Sequence, residues 1–232
     1  MPTGRSAAAA TLAIIALTTG CGQEKQKYEP RASPSGVKAS LPAVPNVPQK
    51  PKKAGDAYTV WGASYSLRSR VHHKDVAGKE LKITGYVSKT NLPDMPKCAI
   101  HKTGKEDPEG CKPPIPTFWL CDTKDAPDND CIRVMGWASN PAQLYDAIQE
   151  FDKNKGKDKQ EPFMDNFWGV EVPNPLPAKG AKITVTGNYS TTFTKATSGT
   201  VADPIMGLLT YGKIEVAEQA PELETLPGVK RK

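Results

Sequence analysis

The chain has no apolar run long enough to cross a bilayer. Its longest, Ala7 to Leu17, is eleven residues, whereas a spanning helix needs about 20. Histidine is scarce, with three residues in 232, which leaves little material for a Ser-His-Asp set. Ser64, Ser66, Ser69, Ser88 and Ser139 stand in no nucleophile-elbow context. No Cys-x-x-Cys pair is present, and thioredoxin-like redox chemistry requires one. No repeat of fixed period occurs, and no spacing of carboxylates singles out a glycosidase pair. No catalytic residue is assigned on these grounds, and no cofactor is expected.

What is present begins with export. Arg5 precedes the apolar run, and small residues lead into Gly20-Cys21, the layout of a secretory signal peptide. Around Gly20-Cys21 the chain resembles bacterial lipoproteins. That resemblance implies a signal peptide over 1–20, lipidation of Cys21 and attachment to a bacterial membrane, inner or outer, with the rest of the chain in the cell envelope. From 21 to 56 the chain reads as a linker. Gly22 to Asp56 holds six prolines and few aliphatic residues, too little apolar surface to fold. Prolines at 42, 45, 48 and 51 suit an extended tether of at most ~100 Å.

Charge is unevenly placed. The formal net charge is +6, but Arg5, a linker with seven basic against three acidic residues, and Lys230-Arg231-Lys232 leave 57–229 at about −2. A nucleic-acid module concentrates Lys and Arg on its folded face, so no nucleic-acid partner is expected. The residues from 218 to 232 read as a basic tail.

Once Cys21 is assigned to lipid, Cys98, Cys111, Cys121 and Cys131 remain. An even number in an exported domain reads as two disulfides, with three possible connectivities. The expected pairs close local loops: Cys98 with Cys111, and Cys121 with Cys131 across DTKDAPDND. The alternative use of Cys98, as a thiolate metal ligand beside His101, His72 and His73, competes with the bridge. Asp122, Asp125, Asp128 and Asp130 lack the glycine and terminal glutamate of an EF-hand loop. No metal is expected.

The residues 57–217 read as one domain, mainly β. GKELKITGYVSK alternates Leu81, Ile83 and Val87 with polar residues around Gly85, a strand with room for a bulge or sharp coil. TFWLC (117–121) and CIRVMGW (131–137) form a hairpin. Asn140-Pro141, Gln143 and the series Leu144, Ala147, Ile148, Phe151 predict a capped amphipathic helix. GAKITVTGNY (180–189) and MGLLTYGKIEV (206–216) predict two further strands, and TVWGASYSLRSRV a short helical lead-in. This order, with glycines at 85 and 187, resembles the OB domains of bacterial exported proteins and lipoproteins, including a group named for its likeness to the anticodon-binding domain. The resemblance implies a five-stranded Greek-key barrel with one helix between strands three and four.

OB barrels bind across strands two and three and the flanking loops. Projected here, that face holds Phe118, Trp119, Arg133 and Trp137, with Phe193 and Lys195 in the loop NYSTTFTKATSGT. Asp165 and Glu171, near Phe167 and Trp168, are the other polar-aromatic group, and read as packing of an insertion. The expectation is a non-enzymatic, lipid-anchored envelope module that binds an envelope protein or polymer. The alternatives are an enzyme or accessory subunit acting on envelope polymer, or a metal or redox carrier.

Overall fold

The computed structural model describes residues 36, 50–96, 110–111, 113–155, 162–166, 169–195 and 199–229. All described strands and helices fall within Val47–Lys232, one compact unit. In chain order they are β1 (Lys53–Ala54), β2 (Ala57–Thr59), α1 (Val60–Arg68), α2 (His73–Val76), β3 (Lys79–Thr90), β4 (Phe118–Cys121), β5 (Ile132–Met135), α3 (Pro141–Asn154), β6 (Phe163–Asp165), β7 (Val170–Val172), β8 (Lys182–Ser190), β9 (Thr192–Lys195), β10 (Gly199–Ala202) and β11 (Leu208–Glu218). The protein is mainly β, with one large sheet and three α-helices among the described residues.

Alternation in β3 sends Leu81, Ile83 and Val87 inward and leaves Lys82, Thr84 and Tyr86 outside, as a period-two strand must. β3 pairs antiparallel with β4 and β4 antiparallel with β5. β5 then runs parallel to β11, which pairs antiparallel with β8, and β8 returns antiparallel to β3. The hydrogen-bonded pairings therefore form a closed ring of five strands. Two close approaches accompany the closure. A Cβ at Gly187 would lie 2.1 Å from the Thr210 carbonyl oxygen, and one at Gly85 would lie 2.5 Å from that of Cys121. Only glycine fits such contacts.

The core fills the ring with Ile83, Leu120, Ile132, Val134, Ile183, Val185 and Leu209. α3 adds Leu144, Ala147 and Ile148, and its N-cap Asn140 accepts from the Gln143 amide at 3.1 Å. α1 adds Val60, Ala63 and Leu67. Its first turn has two sources of acceptors. The Gly62 amide donates to Thr59 Oγ1 at 2.9 Å, while the Val60 and Trp61 amides donate to the two carboxylate oxygens of Asp122, each at 2.8 Å. A negative charge there also favours the positive end of the helix dipole. Asp122, although exposed, is thus a remote cap of α1.

Two expected boundaries shift. The linker was expected to reach 56, but β1 pairs with β2, and Thr59 donates its amide to Lys52 O at 3.0 Å and its hydroxyl to Pro51 O at 2.8 Å. Backbone pairing needs no apolar side chains, and Gly62 lets this segment pass over α1: a Cβ would lie 2.0 Å from Lys52 O. The tail was expected from 218, yet Leu226 is fully buried in the core and Val229 packs against it. The strand count also rises. β1 and β2 extend the sheet to seven strands, and β6–β7 and β9–β10 are separate hairpins.

Gly187→Ala forces β8 and β11 apart and is expected to lower stability by more than about 2 kcal/mol, in the range of severe backbone and overpacking lesions. Chemical denaturation checks this, with Gly78→Ala, whose Cβ would meet nothing within 4 Å and whose cost is confined to the strain of a side chain at a φ of +68°, as the milder comparison.

Candidate binding face

The outer surface of β3, β4 and β5 carries one row of side chains set by register. Lys89 lies opposite Trp119, and Trp119 opposite Arg133. Trp119 is half-buried, and Lys89 Nζ sits 4.4 Å from its ring centroid, a cation–π geometry. The same ammonium is ion-paired with Asp128. Arg133 Nη2 donates to Asp203 Oδ2 and to Ala202 O, both at 3.3 Å. One step along the strands Tyr86 lies opposite Cys121, with Lys124 and Lys182 at 5.3 and 5.5 Å from its ring.

Cys121 and Cys131 are bonded, with Cα atoms 4.4 Å apart, and follow directly on the Leu120–Ile132 pair. The bridge staples β4 to β5 at the mouth of their loop, and that loop holds Asp128 within reach of Lys89. Cys111 is also disulfide-bonded; Cys98, its expected partner, lies outside the described residues, as do Cys21, His101, Phe167 and Trp168.

The projected binding set divides. Trp119 and Arg133 are on the face. Phe118 and Trp137 are not: both are fully buried and meet edge-on at 5.7 Å, because Phe118 has the inward parity of β4 and Trp137 follows the positive-φ turn at Gly136. Phe193 is only 5% exposed. It belongs to a second small core with Ile115, Met135 and Leu208, against which Val201 packs. The segment expected to be a ligand-presenting loop is the β9–β10 hairpin, with Phe193 as its buried anchor. Lys195 Nζ donates to Ser139 O, and burial lowers its pKa while the Asp165 carboxylate opposes that shift. Asp165 is itself buried and accepts the Ser139 amide at 2.6 Å. Lys195 is therefore a tie between hairpin and body. Glu171 contributes its carbonyl, which accepts from Tyr211 Oη at 3.0 Å.

Sequence reasoning missed Tyr86, Lys89 and Lys182. The signal was available for Tyr86, whose outward parity follows from Leu81, Ile83 and Val87 facing inward. For Lys89 it was not, because a register shift between Val87 and Lys89 resets the alternation. Near the histidines, His72 Nδ1 meets Asp75 at 3.3 Å and His73 Nδ1 meets Leu67 O at 2.6 Å. Among the described residues no three His, Cys, Asp or Glu side chains come together as metal ligands would.

No family model matches this chain, and no curated protein matches it. Among solved structures it is similar to a protein assigned as an aspartyl-tRNA synthetase from Leishmania major Friedlin, with 16% identity and a TM-score of 0.31. The match covers 78% of this chain and 23% of that one. A likeness this distant carries no argument about activity.

Burial separates the two aromatic roles experimentally. Phe193→Ala removes an anchor from the second core and is expected to cost about 3–5 kcal/mol. Trp119→Ala, at a half-buried surface position, is expected to cost less than half as much. Paired urea melts of the two variants check the order.

Proposed function

We propose that this protein is a lipid-anchored, non-enzymatic module of the bacterial cell envelope, held by Cys21, that binds an envelope protein or polymer on the outer face of β3, β4 and β5. Its domain is an OB-type barrel in this reading. The order of pairings supports that: three antiparallel strands, a helix, then two strands that close the ring, as in a five-stranded Greek-key barrel.

The observation that carries the binding reading is the row Lys89–Trp119–Arg133, an aromatic platform flanked by cations on a sheet stapled by a disulfide. A rigid aromatic surface bears contact area at low entropic cost. The cations favour a neutral or mixed ligand over a phosphate backbone. Lys89 pairs with Asp128, Arg133 with Asp203 and Lys182 with Glu218, so each already has a carboxylate to neutralise it. Binding through such a face depends weakly on salt, whereas a protein tracking phosphates loses affinity steeply as salt rises.

Crosslinking in native envelopes, with mass spectrometry of the captured partner, supplies the ligand. Titration of the chain against that partner is expected to show at least about tenfold weaker binding for Trp119→Ala, roughly one hot-spot contact, with little change between low and high salt. Strongly salt-sensitive binding to single-stranded nucleic acid, unaffected by Trp119→Ala, overturns the reading. Cys21→Ala is expected to leave the chain unprocessed or soluble, since the lipid is lost. Membrane fractionation together with the mass of the wild-type N-terminus checks that step.

A further inference from the structure

A second aromatic and basic surface lies away from the β3–β4–β5 face. On α1, Trp61, Tyr65 and Arg68 are spaced i, i+4, i+7 and share one stripe, opposite the buried Val60, Ala63 and Leu67. Trp61 and Tyr65 stack with centroids 5.0 Å apart, and Tyr65 is 42% exposed. Trp61 is half-buried, and among the described residues neither ring is part of the core cluster or of the residues packed against it. Lys52 Nζ stands 4.8 Å from the Tyr65 ring, and Lys53 Nζ 4.6 Å from that of Tyr58. Just past the helix, Val71 is 78% exposed.

The charge here is one-sided. From Lys50 to Val76 the sequence has six lysines and arginines against two carboxylates: Asp56, ion-paired with Lys82 at 2.6 Å, and Asp75, 3.3 Å from His72 Nδ1. Asp122, the acid brought to the helix start by the fold, has both oxygens engaged by backbone amides. Trp and Tyr favour the headgroup level of a bilayer, where the ring is half in hydrocarbon and its polar edge in water. Lysines and arginines near an anionic lipid surface add attraction to it.

We propose that this face of α1 rests on the anionic surface of the membrane to which the chain is tethered, with Trp61, Tyr65 and Val71 at headgroup level and Lys52, Lys53 and Arg68 against lipid phosphates. The proposal rests on the reading of Cys21 as the lipid anchor. It is favoured over an acidic polymer by the exposed apolar side chains in the patch, which a bilayer buries. Position in the chain also favours it. Lys52 follows Cys21 by about thirty residues, so this surface belongs to the part of the domain nearest the anchor along the chain.

The test uses the processed chain, residues 21–232, carrying Cys21→Ala, so that only protein contacts remain. It is mixed with vesicles of phosphatidylglycerol and phosphatidylethanolamine, or of phosphatidylcholine alone, and sedimented. The chain is expected to follow the anionic vesicles and not the zwitterionic ones. Trp61→Ala with Tyr65→Ala is expected to lower partitioning about tenfold, with an unchanged thermal melt showing that the variant is folded. Lipids brominated in the acyl chain are expected to quench tryptophan fluorescence in the parent chain and not in Trp61→Phe. Undiminished partitioning of the double variant, or undiminished quenching in Trp61→Phe, overturns the proposal. So does a chain that binds a soluble acidic polysaccharide and leaves both vesicle types behind. The anchor is tested separately: sedimentation with anionic vesicles alongside a native N-terminus of unlipidated mass retains the docking face and overturns the anchor.

Discussion

β11 lies between β5 and β8 and makes both pairings at once, parallel to the first over Leu208–Thr210 and antiparallel to the second over Leu208–Glu218. Everything else in the domain follows from that closure. A sheet of five strands bends back on itself only if some backbones approach closer than a side chain allows. Gly187 meets the Thr210 carbonyl and Gly85 that of Cys121 in the space a Cβ would need. Once the ring is closed, the inward residues of every strand share one apolar interior, and α1 and α3 bury their stripes against it. Within the ring, closure leaves no strand without a neighbour on either side.

The outer surface is organised by different forces. Over β5 and β11, the β9–β10 hairpin brings Phe193 and Val201 onto Met135 and Leu208, making a second apolar cluster outside the ring. Arg133 and Lys195 reinforce the same hairpin through polar contacts with Asp203, Ala202 O and Ser139 O. That leaves the strip around Tyr86, Lys89 and Trp119 as the open part of the face. The disulfide matters here through its neighbours. Cys121 precedes Asp122, which caps α1, and the loop closed by Cys131 carries Asp128, which pairs with Lys89. One covalent link thus fixes a remote helix cap and an ion pair on the face.

Much of the sheet was legible because burial on one face imposes period two. β3, β4, β5, β8 and β11 fall where alternation and bounding turns put them, and the Asn140-Pro141 signal starts α3 as read. The misses have physical causes. Trp137 has the parity of an outward residue only if β5 continues past Met135, and the positive φ of Gly136 ends it. Phe193 sits among serines and threonines, so nothing local marks it as a core residue; its partners come from strands and loops elsewhere in the chain. β1 carries no apolar signal, since its pairing with β2 is a backbone matter. Leu223, Leu226 and Val229 are too sparse to read as a folded segment, yet Leu226 is fully buried.

The sequence by itself determined the elements: which segments alternate, where the main helix begins, where Gly85 and Gly187 leave a strand room to coil, and the apolar run ahead of Gly20-Cys21. Each is a local pattern that short-range sterics and hydrophobic periodicity read directly. Tertiary structure decided what those elements do to one another. Whether Phe118, Trp119, Trp137 and Phe193 are core or surface depends on which strand crosses which. So does the fate of Asp122, whose two carboxylate oxygens find the amides of Val60 and Trp61 about sixty residues earlier in the chain. Those pairings are long-range and no window of sequence contains both partners; they exist only once the sheet has closed.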